Sequence, residues 1–140
     1  MATYNAPLDD MMFLFEKLRD NPHYNALEKY KEVNPELAKD ILEQAAKLTE
    51  NLVLPLAKAG DETPTKLENG IVRTPPGYKE VYKKFIEDGW ISLSCDPEYG
   101  GQGMPNTIKS FFDEMLSSAS LSFKLYSELS IGAYNCIFHH

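Results

Sequence analysis

Residues Gly89 to Pro105 (Gly-Trp-Ile-Ser-Leu-Ser-Cys-Asp-Pro-Glu-Tyr-Gly-Gly-Gln-Gly-Met-Pro) limit what this chain can fold into more than any other stretch. Helical periodicity stops here and glycines take over. Gly89 predicts the stop of one helix. Trp90 and Leu93 are its apolar anchors, Asp96-Pro97 opens a turn, and Pro105 suits the first turn of the next helix. Between them, Tyr99-Gly100-Gly101-Gln102-Gly103 is a loop whose backbone can adopt positive φ or lie close against a neighbour. Two readings stand side by side: a tight connection between helices, and a loop that approaches a ligand closely. The pattern is neither a Walker phosphate loop nor a GxGxxG fingerprint. No Lys or Arg lies between Gly89 and Ile108, which weakens the case for an anion at the helix that follows.

The rest of the chain reads as helices arranged around that join. Leu8, Met11, Met12, Phe15 and Leu18 form one apolar stripe over Pro7–Arg19, with Asp9 and Asp10 in its first turn. Asn21-Pro22 breaks it, and Tyr24–Lys31 is a shorter piece with Leu27 and Tyr30 on one side. Asn34-Pro35 is a capping residue followed by Pro at the first helical position. Leu37, Ile41, Ala45, Leu48, Leu52 and Leu56 then recur at helical spacing, and Pro55 bends or ends the run. Asn69-Gly70 is a hairpin-turn signal inside Lys66–Arg73, the one strand-like patch. A hairpin this short is expected to rest on helices. Tyr78, Val81, Tyr82, Phe85 and Ile86 predict the helix that ends at Gly89. Ile108, Phe111, Phe112, Met115 and Leu116 predict the one after the loop. The last stretch, from Leu121 to His140, is apolar around most of its circumference. It predicts a central helix or one that awaits a partner. The expected fold class is all-α, a bundle of about five to six helices with a small hairpin near Asn69-Gly70. Residues 1–33 read as an extension and 34–140 as the domain proper. The uncapped apolar end at Ile137-Phe138-His139-His140 reads as a domain truncated at its C-terminal side.

Charge and composition exclude several functions. A net charge of −7 argues against nucleic acid and anionic membranes. No apolar run reaches the roughly 18 residues that a membrane span requires. The first residues lack the basic and apolar regions of a signal peptide. Cys95 and Cys136 are far apart, without a CxxC pair, and suggest reduced thiols and a cytoplasmic setting. The pair Cys136/His139 shares one helical face but lacks an orienting third group, so a buried Cys beside an incidental His is the expectation. The histidines have no metal-ligand spacing. Glu128 stands in the most apolar segment. It is either a solvated polar edge, paired with Lys124 one turn earlier, or a polar group in the wall of a substrate cavity.

The stretch Gly89-Trp90, then Asp96-Pro97-Glu98-Tyr99-Gly100-Gly101-Gln102-Gly103, resembles the glycine motif in the N-terminal helical domain of flavin-dependent acyl-CoA dehydrogenases. The register continues through Glu114, Ser122-Phe123 and Tyr126 to Gly132-Ala133. The opening Thr3-Tyr4-Asn5-Ala6-Pro7-Leu8-Asp9-Asp10-Met11 is similar to the N-terminal extension of the larger-subunit branch, which includes methylthiopropanoyl-CoA dehydrogenases. The resemblance implies the first of three domains, with a middle β-domain and a C-terminal helical domain to follow. It implies acyl-CoA as substrate, FAD in the full-length parent, a glutamate base in the C-terminal region, and a homo-oligomer. None of the base or flavin contacts matches a residue here, so no cofactor and no catalytic residue are expected in these residues alone. What carries over is one wall of the acyl pocket, Phe123, Lys124, Glu128 and Gly132, with Tyr99, Gly100 and Gly101 in a loop nearby. The alternative from a different class is a stand-alone acidic helical module that binds a partner protein.

Overall fold

The computed structural model describes residues 3–140. Seven α-helices and one hairpin follow in order. They are α1 (Leu8–Arg19), α2 (Pro22–Ala26), α3 (Glu28–Lys31), α4 (Pro35–Leu48), α5 (Leu56–Glu62), β1 (Lys66–Glu68), β2 (Ile71–Arg73), α6 (Tyr78–Glu87) and α7 (Asn106–Phe138). The all-α expectation with a small hairpin holds. One core runs through the bundle: Met11 and Phe15 of α1, Val33 in the connection before α4, Leu42 and Ala45 of α4, Phe85 of α6, and Ile108, Phe112, Met115 and Phe123 of α7. Residues before Asn34 therefore share their core with those after it.

Local chemistry sets most boundaries. The Asn34 side chain accepts a hydrogen bond from the Leu37 N–H at 2.8 Å, capping α4 as its sequence predicts. The inward face of α4 differs from the expected stripe. Ala38, Leu42, Ala45 and Ala46 are buried, while Leu37 is 40% exposed. Small alanines let neighbouring helices approach, and a count that favours leucines rotates the face by one residue. Past Leu48 the helix widens into a π-turn over Thr49–Val53. There the Leu54 N–H donates to the Thr49 carbonyl at 2.8 Å. Pro55, which follows directly, has no N–H to continue the α ladder. Tyr24–Lys31 is not one helix: Leu27 is extended (φ −72°, ψ 131°) and separates α2 from α3, leaving its side chain exposed.

The hairpin pairs Lys66 with Arg73, Leu67 with Val72 and Glu68 with Ile71. Asn69 (φ 52°) and Gly70 (φ 77°) both take the left-handed conformation that a two-residue turn of this kind requires. All six strand residues are exposed.

Helix α7 breaks at Ser120 (φ −161°, ψ 94°). The Ser120 hydroxyl accepts from the Phe123 N–H at 3.4 Å, an N-cap for the second half. The two halves are the two helices read from the sequence. The expectation of a central second half is corrected. Phe123 and Ser127 are buried, but Leu121, Leu125, Leu129 and Ile137 are exposed, Leu129 at 83%. Its inner face packs on the bundle and its outer face meets solvent.

Candidate functional site

The glycine loop is a closed structural joint. Gly89 ends α6 at φ 77°. Trp90 packs on Phe112 at 4.9 Å between ring centroids, and Leu93 is buried. Asp96 caps a short turn by accepting from the Glu98 N–H at 2.9 Å. Gly100 (φ 79°) and Gly103 (φ 68°) supply the left-handed residues. Gly101 has no side chain for a different reason: a Cβ there would stand 2.1 Å from the Cys95 carbonyl oxygen. The successive N–H groups of Gly101, Gln102, Gly103 and Met104 donate to the carbonyls of Asp96, Ser92, Cys95 and Leu93 at 2.9–3.1 Å. With these donors engaged, the loop does not offer the open ring of N–H groups that cradles a phosphate. The tight-connection reading is the one its hydrogen bonds match.

The break at Ser120 turns the second half of α7 back so that it faces the first half and the loop. The Tyr134 hydroxyl accepts from the Asp96 N–H at 2.8 Å and fixes that return. Tyr134 stacks on Phe138 (5.4 Å), and Phe138 meets Tyr99 edge-on (6.2 Å). Between the two halves lies a cleft of about 660 Å³. Asn106, Lys109 and Asp113 line it from the first half, and Glu128, Gly132 and Asn135 from the second. Lys29 closes one side and donates to the Ser94 carbonyl at 2.9 Å.

Of the residues expected in one wall, Glu128 and Gly132 share this cleft. Lys124 lies one turn before Glu128 and pairs with it at 3.2 Å, with only 17% of its own side chain exposed. Phe123 does not line this cleft. Phe123 is 2% exposed and packs edge-on against Tyr78, Tyr82 and Phe85. Five residues along a helix lead about 140° around it, so Phe123 and Glu128 cannot face the same way. Tyr99 is near the cleft through Phe138. Gly100 and Gly101 belong to the joint and do not line the cleft.

The other candidates resolve simply. Cys136 is exposed rather than buried, because it falls on the outer face of α7; His139 packs edge-on against Phe138 at 5.1 Å. Cys95 is buried, and its thiol is pushed above the ordinary range by that burial, partly offset by Lys29 and Lys109. No cluster of metal ligands exists among the described residues. No helix among them is long and apolar enough to cross a membrane. Sequence reasoning missed Asn106, Lys109 and Asn135 as cleft residues. They are polar positions whose meeting depends on the angle at Ser120, for which no sequence pattern gave a value.

Residues 35–140 match the family model for the acyl-CoA dehydrogenase N-terminal domain. The chain is 38% identical over 135 residues to a 3-methylmercaptopropionyl-CoA dehydrogenase of Ruegeria pomeroyi, covering 96% of this chain and 23% of that protein. It is 25% identical over 130 residues to the broad-specificity linear acyl-CoA dehydrogenase FadE5 of Mycobacterium tuberculosis, covering 91% of this chain and 21% of that protein. The chain thus spans less than a quarter of the length of either relative.

Proposed function

The chain belongs to the acyl-CoA dehydrogenase family as an N-terminal domain, and on that premise we propose that it forms one wall of the acyl pocket in an FAD-dependent enzyme that introduces an α,β double bond into an acyl-CoA thioester. The observation that carries this reading is the cleft behind the Ser120 break. There Glu128, held by Lys124, and the bare backbone of Gly132 face the first half of α7. A few fixed polar groups in a concave wall set the orientation of a bound chain. In this reading Phe123 anchors the pocket helix from behind, and the loop at Tyr99, Gly100 and Gly101 holds its far end.

FAD supplies the hydride acceptor when bound. The glycine loop does not fit it as a phosphate cradle, and the proposal places the flavin and the catalytic base in the middle and C-terminal domains. The 140 residues alone are then inactive, and the complete enzyme is a homo-oligomer. Two free cysteines, one of them exposed, support a cytoplasmic setting.

The test uses an enzyme of the relatives' length that contains this domain. A Cβ at Gly132 would meet nothing within 4 Å, so Gly132→Leu projects into the cleft at little cost to the helix. Gly132→Leu and Glu128→Leu are expected to raise KM and alter the preference among acyl chains, with flavin content unchanged. Unaltered acyl preference in both variants would defeat the reading. The exposed row Leu121, Leu125 and Leu129 favours the second reading, an acidic helical module that binds a partner protein. That reading gains if the 140 residues bind a partner and the longer enzyme shows no dehydrogenase activity.

A further inference from the structure

On the opposite side of α7 lies a second concavity, of about 540 Å³, between the hairpin and α6. That is within the roughly 300–1,000 Å³ of small-molecule sites. Pro75, Pro76, Tyr78, Tyr82, Tyr126 and Phe123 are among its lining, Tyr78 and Phe123 being each only 2% exposed. The rings are held rather than free. Tyr126 lies 5.6 Å from Tyr78 and 6.2 Å from Tyr82, and the Tyr78 hydroxyl is tied to Ser122 at 2.6 Å. Tyr82 and Tyr126 remain partly exposed, and the Tyr126 hydroxyl has only a long contact, 3.4 Å, to Thr65.

The rim is charged. Arg73 and Lys79 both line it, together with Glu80. Arg73 reaches Glu68 only at 4.0 Å, and Lys79 has no acidic partner within 4.0 Å among the described residues. The lining thus carries two cations against one carboxylate, Glu80, with Glu68 beside Arg73, in a chain of net charge −7. Fixed aromatic faces favour flat rings, and a cation at the edge favours a negative substituent on them. A neutral ring loses the rim, and a small inorganic anion loses the faces.

We propose that this groove binds a planar aromatic anion, a ring stacked on the exposed parts of Tyr82 and Tyr126 above the buried Tyr78, with its carboxylate or phosphate at Lys79 and Arg73. The site is separate from the acyl wall, which uses the other side of α7, and does not rest on that reading. The test is titration of the 140-residue chain with adenosine monophosphate and, separately, naphthoate, followed by the aromatic proton resonances of the three tyrosines. Adenosine, naphthalene methanol and inorganic phosphate serve as the arms lacking the charge or the ring. The anionic aromatics are expected to shift the three tyrosines and to bind about tenfold more tightly than their neutral counterparts. Phosphate alone is expected to shift none of them. Lys79→Glu and Tyr126→Ala should each weaken binding about tenfold. Both residues are solvent-facing, so circular dichroism should show the fold retained; Tyr126→Leu, which keeps apolar packing, repeats the loss if Tyr126→Ala unfolds. Absence of tyrosine shifts with both anions, equal affinity for the neutral compounds, or affinity unaffected by Lys79→Glu would overturn the proposal.

Discussion

Two glycines one bond apart are required for different physical reasons, and the difference is measurable. At Gly100 the conformation (φ 79°) is the constraint, and a Cβ would meet nothing within 4 Å. Alanine there carries the left-handed penalty, about 1–2 kcal/mol. At Gly101 the constraint is the Cys95 backbone, 2.1 Å from an added Cβ. The loop must open to admit it, breaking bonds such as that of the Gly103 N–H to the Cys95 carbonyl. Gly101→Ala should therefore cost clearly more than Gly100→Ala in urea denaturation, on the order of 3 kcal/mol or more. Equal losses would mean the loop is not packed as described. Tyr4 gives a residue-scale pH effect. Burial foremost, then the nearby Glu114 carboxylate, raises its pKa above the ordinary 10.0. The folded state thus holds its proton more tightly than the unfolded one. Tyr4 contributes stability that is complete below about pH 10 and is lost as pH rises through the raised value. Thermal unfolding should show the native chain losing stability above pH 10 faster than Tyr4→Phe, and parallel curves would contradict this.

At the scale of elements, the legible features were those written in local chemistry. Asn34-Pro35 starts α4, Gly89 stops α6, and Asn69-Gly70 turns the hairpin, because each depends on a cap or a φ value that one or two residues dictate. The second half of α7 was legible as a helix too, but its rotation was not. Phe123 and Glu128 looked alike as members of one apolar segment, and only the tertiary contacts of Phe123 with Tyr78, Tyr82 and Phe85 show which side faces inward. The π-turn before Pro55 and the separation of α2 from α3 at Leu27 likewise have no periodic signal. The break in α7 allows the two contributions to be separated. Its cap, Ser120 Oγ to Phe123 N–H, is long at 3.4 Å, so Ser120→Ala should cost about 1 kcal/mol or less. Phe123→Ala empties a site packed by three rings and should cost about 3–5 kcal/mol. If the two losses were similar in chemical denaturation, the cap rather than the packing would be fixing the angle that opens the cleft.

For the whole molecule, what stands out is the outer face of α7. Leu121, Leu125 and Leu129 follow one another at intervals of four, so their exposed side chains form a continuous row, and Ile137 is 80% exposed further along. Covering one such side chain is worth roughly 1.5–3 kcal/mol, and a contiguous row of this kind marks an interaction surface. Tyr134 and Phe138 are less available than their sequence positions suggest, since Tyr134 is bonded to Asp96 and Phe138 is packed on Tyr134 and Tyr99. The 140-residue chain should therefore self-associate through the leucine row, with its net charge of −7 restraining growth to defined oligomers. In sedimentation velocity the average mass should rise across a concentration series. Leu129→Asp should abolish the rise, because it places a charge in the centre of the row. Phe138→Asp should reduce it far less, because Phe138 is spent on contacts within the domain. A chain that stays monomeric at the highest concentration, or one for which Phe138→Asp is the stronger variant, would show that the leucine row is not the associating surface.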